Sequence, residues 1–273
     1  MNLVRLPSNA ESEILRVAHA TKHRTATIGS IPTAEFPDMS PTSVFDSIRT
    51  FWHTLTPFSL RLSRDGRIHP KTTVSIHRQM YNIAEQMSFD DLRRLFDEGH
   101  TIVYRNISDR HAAFATLSSA LAMELHAWPT LNLYMSPSGG NGFAEHTDSH
   151  DVLCLQCSGT KTWTLPITVL PAQTVSLNPG DFLYLPEGIA HAARADSQPS
   201  VHLTIGFRPP TIDQFLCWLG EHLRKSQSVP SYLDFSLPSP PEDIFELYRL
   251  HWKEYISDAK LGFGRATTQK HKL

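Results

Sequence analysis

Between Thr130 and Phe207 the chain reads TLNLYM (130–135), DVLCLQC (151–157), KTWTLP (161–166), TVSLN (174–178), DFLYLP (181–186) and VHLTIGF (201–207). β-Branched and aromatic residues fill these short runs, and Gly, Pro, Ser and Asn separate them. That spacing predicts an antiparallel sandwich or barrel.

Toward the N-terminus the texture becomes helical and irregular. ESEILRVAHA and SVFDSIRTFW have helix-like apolar spacing, and RLSRDGRIHP places an Asp65-Gly66 turn between short extended runs. In MSFDDLRRLF, Ser88 and Asp91 form a capping box, and Gly99 stands where that helix should stop. TIVYR (101–105) predicts a strand, and residues 108–127 predict a long helix capped by Ser108. Beyond the strand-rich stretch, Pro209 and Pro210 close the sheet region, and TIDQFLCWLGEHLRK (211–225) and PEDIFELYRLHWKEYI (241–256) predict two helices. The tail GRATTQKHKL is expected to be disordered. The class is therefore mainly β with flanking helices: an N-terminal helical, barrel-flanking region (1–129), a barrel core (130–208) and C-terminal helices with a tail (209–273) whose apolar faces suit packing against another subunit, as in a homodimer, or against the barrel.

A chain of 273 residues can bury a sizeable core. With 25 Lys+Arg against 27 Asp+Glu its formal charge is −2, which recommends neither a nucleic acid nor an anionic membrane as partner. The first 20 residues lack the continuous apolar stretch of a secretory signal, and no later run is apolar enough to span a bilayer, so a cytoplasmic location is expected. Three cysteines argue against a disulfide framework. Cys154 and Cys157 form a CxxC on a strand, where positions three apart face opposite sides and cannot grip one metal.

Among 15 histidines, only His146 is followed two positions later by an acid, Asp148. On extended backbone the two side chains face one way and suit one metal, although an HxD alone equally fits a solvated loop pair. GDFLYLPEGIAH (180–191) reads as a turn between strands, in which Pro186 sets the chain direction and Gly188 permits left-handed backbone, so that His191 begins a strand pointing inward. Two imidazoles and one carboxylate are the facial set that leaves open positions on Fe(II), though zinc hydrolases use similar ligands. His150 would share the face of His146 and Asp148 under strict alternation. The following Asp151 and apolar run predict instead a bend that leaves His150 near the entrance or bonded to Asp151. His202 is expected to support the site without ligating, and Trp163 to pack in the core.

AEHTDSHDVLCLQCSGTKTWTL (144–165), GDFLYLPEGIAH and HLTIGF in that order resemble the JmjC-type cupin oxygenases, in particular the branch with the ribosomal oxygenases. The resemblance covers roughly residues 58–208 and is strongest from Asn132 onward. It implies a double-stranded β-helix, or jelly roll, with Fe(II) on His146, Asp148 and His191, and with 2-oxoglutarate and O2 as co-substrates. Lys161 matches the family lysine that pairs with the far carboxylate of 2-oxoglutarate. Asn132, Tyr134 and Thr204 match pocket positions, whereas Gly206 stands where some relatives have serine and Ala195 replaces the asparagine that often ends the second cupin motif. The implied activity is hydroxylation of an amino-acid side chain in a peptide or protein. A free amino acid or natural product as substrate, and a metal-holding cupin without turnover, are the alternatives.

Overall fold

The structure, a computed structural model, describes residues 8–21, 25–32, 39–56, 58–69, 87–168, 174–225 and 249–255. The strands are β1 (Thr27–Ser30), β2 (Leu60–Arg64), β3 (Arg67–Ile68), β4 (Thr101–Tyr104), β5 (Trp128–Ser136), β6 (Asp151–Ser158), β7 (Lys161–Thr164), β8 (Thr174–Leu177), β9 (Asp181–Leu185), β10 (Ala192–Ala195) and β11 (Ser200–Arg208). They form an eight-stranded sheet in the order β1-β9-β6-β11-β5-β4-β2-β3 and a three-stranded sheet in the order β10-β7-β8, with every described pairing antiparallel. This is the jelly-roll, cupin-type barrel. Consecutive strands such as β6 and β7 fall in different sheets, and the alternation between sheets brings distant sequence to one cavity.

Alternation along the strands gives the large sheet two chemically different faces. Leu131, Leu133 and Met135 of β5 and Leu203 and Ile205 of β11 pack with Leu60, Leu62 and the helices in one apolar core. The intervening residues face the other way. There, on β6 and β9, Val152, Cys154, Leu183 and Leu185 join Trp163 and Leu177 of the small sheet in a second, smaller core.

Four helices of the first unit, α1 (Ser8–Thr21), α2 (Pro41–Phe51), α3 (Phe89–Asp97) and α4 (Ala112–Leu125), contribute to the larger core. The capping box of α3 forms as its sequence requires: Ser88 Oγ accepts from Asp91 N–H, and the Asp91 carboxylate accepts from Ser88 N–H. The Ser88 N–H bond, with the Arg94 guanidinium beside it, pulls the Asp91 pKa down to about 2. The helix expected over 108–127 is shorter. Asn106 adopts a left-handed φ of 51°, Ile107–Asp109 form a 3-10 turn that buries Ile107, and α4 starts only after the extended His111. Ser108 therefore lies inside the turn and not at the cap. His111 is buried there with Nε2 2.9 Å from Ser47 Oγ, and burial pushes its pKa down to about 4.

The four strands β1 to β4 precede Thr130, so the N-terminal region supplies part of the large sheet as well as flanking helices. Asp65 and Gly66, both left-handed, join β2 and β3 as a two-residue hairpin. The chain divides into two compact units, Met1–Arg208 and Pro209–Leu273. In the second, α5 (Ile212–Lys225) places Phe215 and Trp218 against Tyr255. Of the helix expected over 241–256, residues 249–255 are described and helical, and the tail lies outside the described residues. Among the described residues no helix is long and apolar enough to cross a membrane.

Candidate active site

His146 and His191 are joined by a two-way backbone bridge, His146 N–H to His191 O at 3.1 Å and His191 N–H to His146 O at 2.9 Å. Gly188 N–H donates to Asp148 O at 2.9 Å, and Gly188 takes the left-handed φ of 81° that its place in the turn requires. The HTD segment is thereby laid along the turn that follows β9. A further brace comes from Asp151, which accepts from Tyr184 Oη at 2.6 Å and from Glu187 N–H at 2.9 Å.

The donor atoms of His146, Asp148 and His191 lie within 4.8 Å of one another, with His191 Nε2 3.6 Å from Asp148 Oδ2. Each imidazole is oriented by a backbone carbonyl two residues upstream: His146 Nδ1 is 3.0 Å from Ala144 O, and His191 Nδ1 is 2.9 Å from Ile189 O. A carbonyl can only accept, so Nδ1 carries a proton and Nε2 is the ring nitrogen left for a metal at the shared point. Burial holds the buried His191 in its neutral form, with His146 acting in the same direction. Two imidazoles and one carboxylate converging in this way fit a divalent transition metal.

The cavity beside them is lined by, among others, Tyr134, Ser136, Lys161, Trp163, His202 and Thr204. Lys161 is 2% exposed, and its Nζ donates to Ser136 Oγ at 2.9 Å and to His202 Nδ1 at 3.1 Å. Ser136 Oγ also accepts from Thr101 Oγ1 at 2.9 Å. Burial pulls the Lys161 ammonium down to about 7, and burial together with the Lys161 charge keeps His202 neutral. Tyr134 stacks on His202 at 4.8 Å between centroids, and burial pushes its phenol up to about 12. Trp163 packs in the smaller core and also lines the cavity, its ring 5.9 Å from that of His191.

Asn132 stands apart. It shares the face of Tyr134 and pairs in register with Thr204, but it does not line the cavity, and its Oδ1 accepts from Asn106 N–H at 3.0 Å. Thr204 does line it, with Cys154 Sγ 3.8 Å away. Cys154 belongs to the smaller core, whereas Cys157 packs against the larger one, as alternation demands. The bend that takes His150 away from the triad is present, but Asp151 is engaged elsewhere. His150 is buried instead beside Gly206: a Cβ at position 206 would fall 2.5 Å from His150 Nε2.

Sequence reasoning missed Asp151 and Tyr184 as braces, Ser136 as the partner of Lys161 with Thr101 behind it, and the strands β1 and β10. Tyr184 offered a signal, since a tyrosine inside an apolar run needs a partner for its hydroxyl. Ser136 offered its alternation with Tyr134.

Fold and site together define a jelly-roll protein with a two-histidine, one-carboxylate centre. The family model for the JmjC domain matches residues 110–175 and 166–215. The chain is 31% identical over 131 residues to the bifunctional lysine-specific demethylase and histidyl-hydroxylase NO66 of Dictyostelium discoideum, covering 40% of this chain and 26% of that protein. To ribosomal oxygenase 2 of Mus musculus it is 29% identical over 152 residues, covering 49% of this chain and 33% of that one. The structure of YcfD, a ribosomal oxygenase from Escherichia coli in complex with cobalt and 2-oxoglutarate, aligns with a TM-score of 0.49 and 16% identity, covering 89% of this chain and 66% of that chain. Over residues 110–215 the chain is similar to the JmjC domain, and it resembles the ribosomal oxygenases, of which it spans about a third or less.

Proposed function

We propose that this chain is an Fe(II)- and 2-oxoglutarate-dependent dioxygenase that hydroxylates an amino-acid side chain in a peptide or protein. Lys161 carries the reading. Its ammonium is buried in the cavity of the triad with only neutral partners, Ser136 and His202. A buried charge without a counter-ion is heavily penalised, and a dicarboxylate reaching from the triad to Lys161 supplies one.

In this reading His146 Nε2, Asp148 and His191 Nε2 hold Fe(II), and Lys161 holds the far carboxylate of 2-oxoglutarate. Tyr134, whose hydroxyl has no partner among the described residues, and Thr204 complete that end of the pocket. Iron with 2-oxoglutarate and O2 supplies the oxidation, one oxygen atom entering a substrate C–H bond and the other succinate as CO2 leaves. The protein orients the C–H bond and limits water in the cavity. Asn132 acts at one remove, by holding the turn at Asn106.

A peptide or protein substrate is favoured because the matched relatives bear names of that kind, histidyl hydroxylase and ribosomal oxygenase. Hydroxylation and N-demethylation begin with the same C–H oxidation and differ in whether that carbon is bonded to nitrogen. A metal-holding cupin without turnover would have no use for an unpaired cation at Lys161.

The test is titration of 2-oxoglutarate into the anaerobic Fe(II) protein, followed by the metal-to-ligand absorption band. Lys161→Ala should still bind Fe(II) but bind 2-oxoglutarate roughly ten- to hundred-fold more weakly, the effect of losing one charge-assisted hydrogen bond. Equal affinities in the two proteins would overturn the reading.

A further inference from the structure

The cavity face of the large sheet carries a guanidinium that neither the triad nor Lys161 uses. Register sets Arg61 of β2 opposite Val103 of β4, Val103 opposite Tyr134 of β5, and Tyr134 opposite His202 of β11. Arg61 therefore stands in one lateral row with two cavity residues, while its neighbours Leu60 and Leu62 pack into the helix-side core. Its Cζ lies 5.1 Å from the centroid of the Phe143 ring. That ring is in turn 6.0 Å from the rings of both Tyr134 and His146.

Arg105 adds a second cation. Its N–H donates to Ser59 O at 2.8 Å, which continues the ladder past the end of β4, and alternation from Val103 puts its side chain on the same face as Arg61. Both arginines act on the Tyr134 phenol, each opposing the upward push of burial. Among the described residues neither is in an ion pair, and Arg61 Nε is buried without a hydrogen-bond partner. A partly buried guanidinium without an acceptor suits a ligand that brings one, and its planar fork matches a carboxylate.

We infer that Arg61, with Arg105 beside it, forms a carboxylate subsite next to the cavity, behind its lining residue Phe143, and that the substrate is a peptide with an Asp or Glu side chain close to the residue oxidised. The inference rests on the oxygenase reading, in which both ends of 2-oxoglutarate are already engaged, one at the triad and the other at Lys161. Arg61 is then left for the substrate. Phe143, between Arg61 and His146, forms the apolar wall along which the peptide passes from the anchored acid toward the metal.

The experiment uses the full chain with Fe(II) and 2-oxoglutarate under anaerobic conditions. Fluorescein-labelled pools of short peptides, random except for a central Asp or Glu, Asn or Gln, Lys, or phosphoserine, are followed by fluorescence anisotropy. The acidic pool should bind roughly tenfold or more tightly than the amide pool, as expected for one charge-assisted contact. Arg61→Gln should erase that preference, and Arg61→Glu should turn it toward the lysine pool, a gain that misfolding cannot produce. The 2-oxoglutarate absorption band should be unchanged in both variants. Equal binding of the acidic and amide pools by the wild type, a preference that survives Arg61→Gln, or a clear preference for phosphoserine over Asp and Glu would overturn the subsite. Loss of the wild-type 2-oxoglutarate band would remove the oxygenase reading itself, whereas a normal band with equal binding would remove the subsite alone.

Discussion

Along β5, Leu131, Leu133 and Met135 are completely buried in the helix-side core, while Tyr134 and Ser136, which alternate with them, face the cavity and Asn132 holds a turn. The same division runs across the neighbouring strand, where Leu203 and Ile205 alternate with His202, Thr204 and Gly206. The helix-side face gains stability from close packing of atoms that ask nothing of their neighbours except shape. The cavity face holds a lysine with neutral partners, a histidine kept uncharged and an arginine without an acceptor. Such groups weaken a fold unless a ligand completes them, so the two faces divide stability from function.

The largest expected effect separates the faces directly. His191→Ala, and likewise His146→Ala or Asp148→Ala, should abolish Fe(II)-dependent succinate formation with little change in the urea midpoint. Leu133→Ala should lower stability by about 2 to 5 kcal/mol through the cavity it leaves, while the folded fraction keeps its Fe(II) affinity. If Leu133→Ala instead destroys metal binding in protein that remains folded, the faces are not independent.

His111 sharpens the comparison from the helix side, where a titratable group sits among the rings of Phe51, Tyr104 and Phe114. Its pKa is depressed to about 4 in the folded state, so the folded protein binds fewer protons than the unfolded chain between that value and the ordinary histidine range. Its contribution is therefore fully present above about pH 6.5 and is lost as the pH falls toward 4. The loss should be on the order of 3 kcal/mol. Urea unfolding at both ends of that window, for wild type and His111→Gln, isolates it, because the other buried histidines are common to both proteins. An identical pH dependence in the two proteins would remove His111 as its source.

The same division explains what was legible in the sequence. The runs of β5, β6, β9 and β11 could be read because one face of each strand is apolar, and the α3 capping box because it is local; β1, TIGS, has no such face and was not read. The HTD and GDFLYLPEGIAH segments declared their residues because ligands need particular types at particular spacings. β10 was invisible: AARA carries no strand signal and is held by its pairing with β7 and by the bridge at His191. The start of α4 was misjudged because a left-handed Asn106 and a buried Ile107 overrode a good local cap at Ser108. The partners of Lys161 come from two separate strands, β5 and β11, and Ser136 is held in turn by Thr101 of β4, an arrangement that only the folded register brings together.

The smallest expected effect concerns Gly206, where the two faces meet on one strand and the cavity side has no side chain. The reason is steric: a Cβ there would fall 2.5 Å from His150 Nε2 and 2.7 Å from Thr130 Oγ1. The His150 ring occupies the space that a residue at 206 would need. Gly206→Ala should accordingly cost about 1 to 3 kcal/mol by overpacking, measured as a shift in the urea midpoint. In a His150→Ala background the same substitution should cost less, leaving only the contact with Thr130, and the coupling between the two sites should be about 0.5 to 3 kcal/mol. His150→Ala alone should retain Fe(II) and 2-oxoglutarate binding, since His150 lies outside both the triad and the cavity lining. If Gly206→Ala costs the same in both backgrounds, the glycine is required by backbone geometry or by Thr130, and the bend of the HTDSHD segment does not constrain β11 through His150.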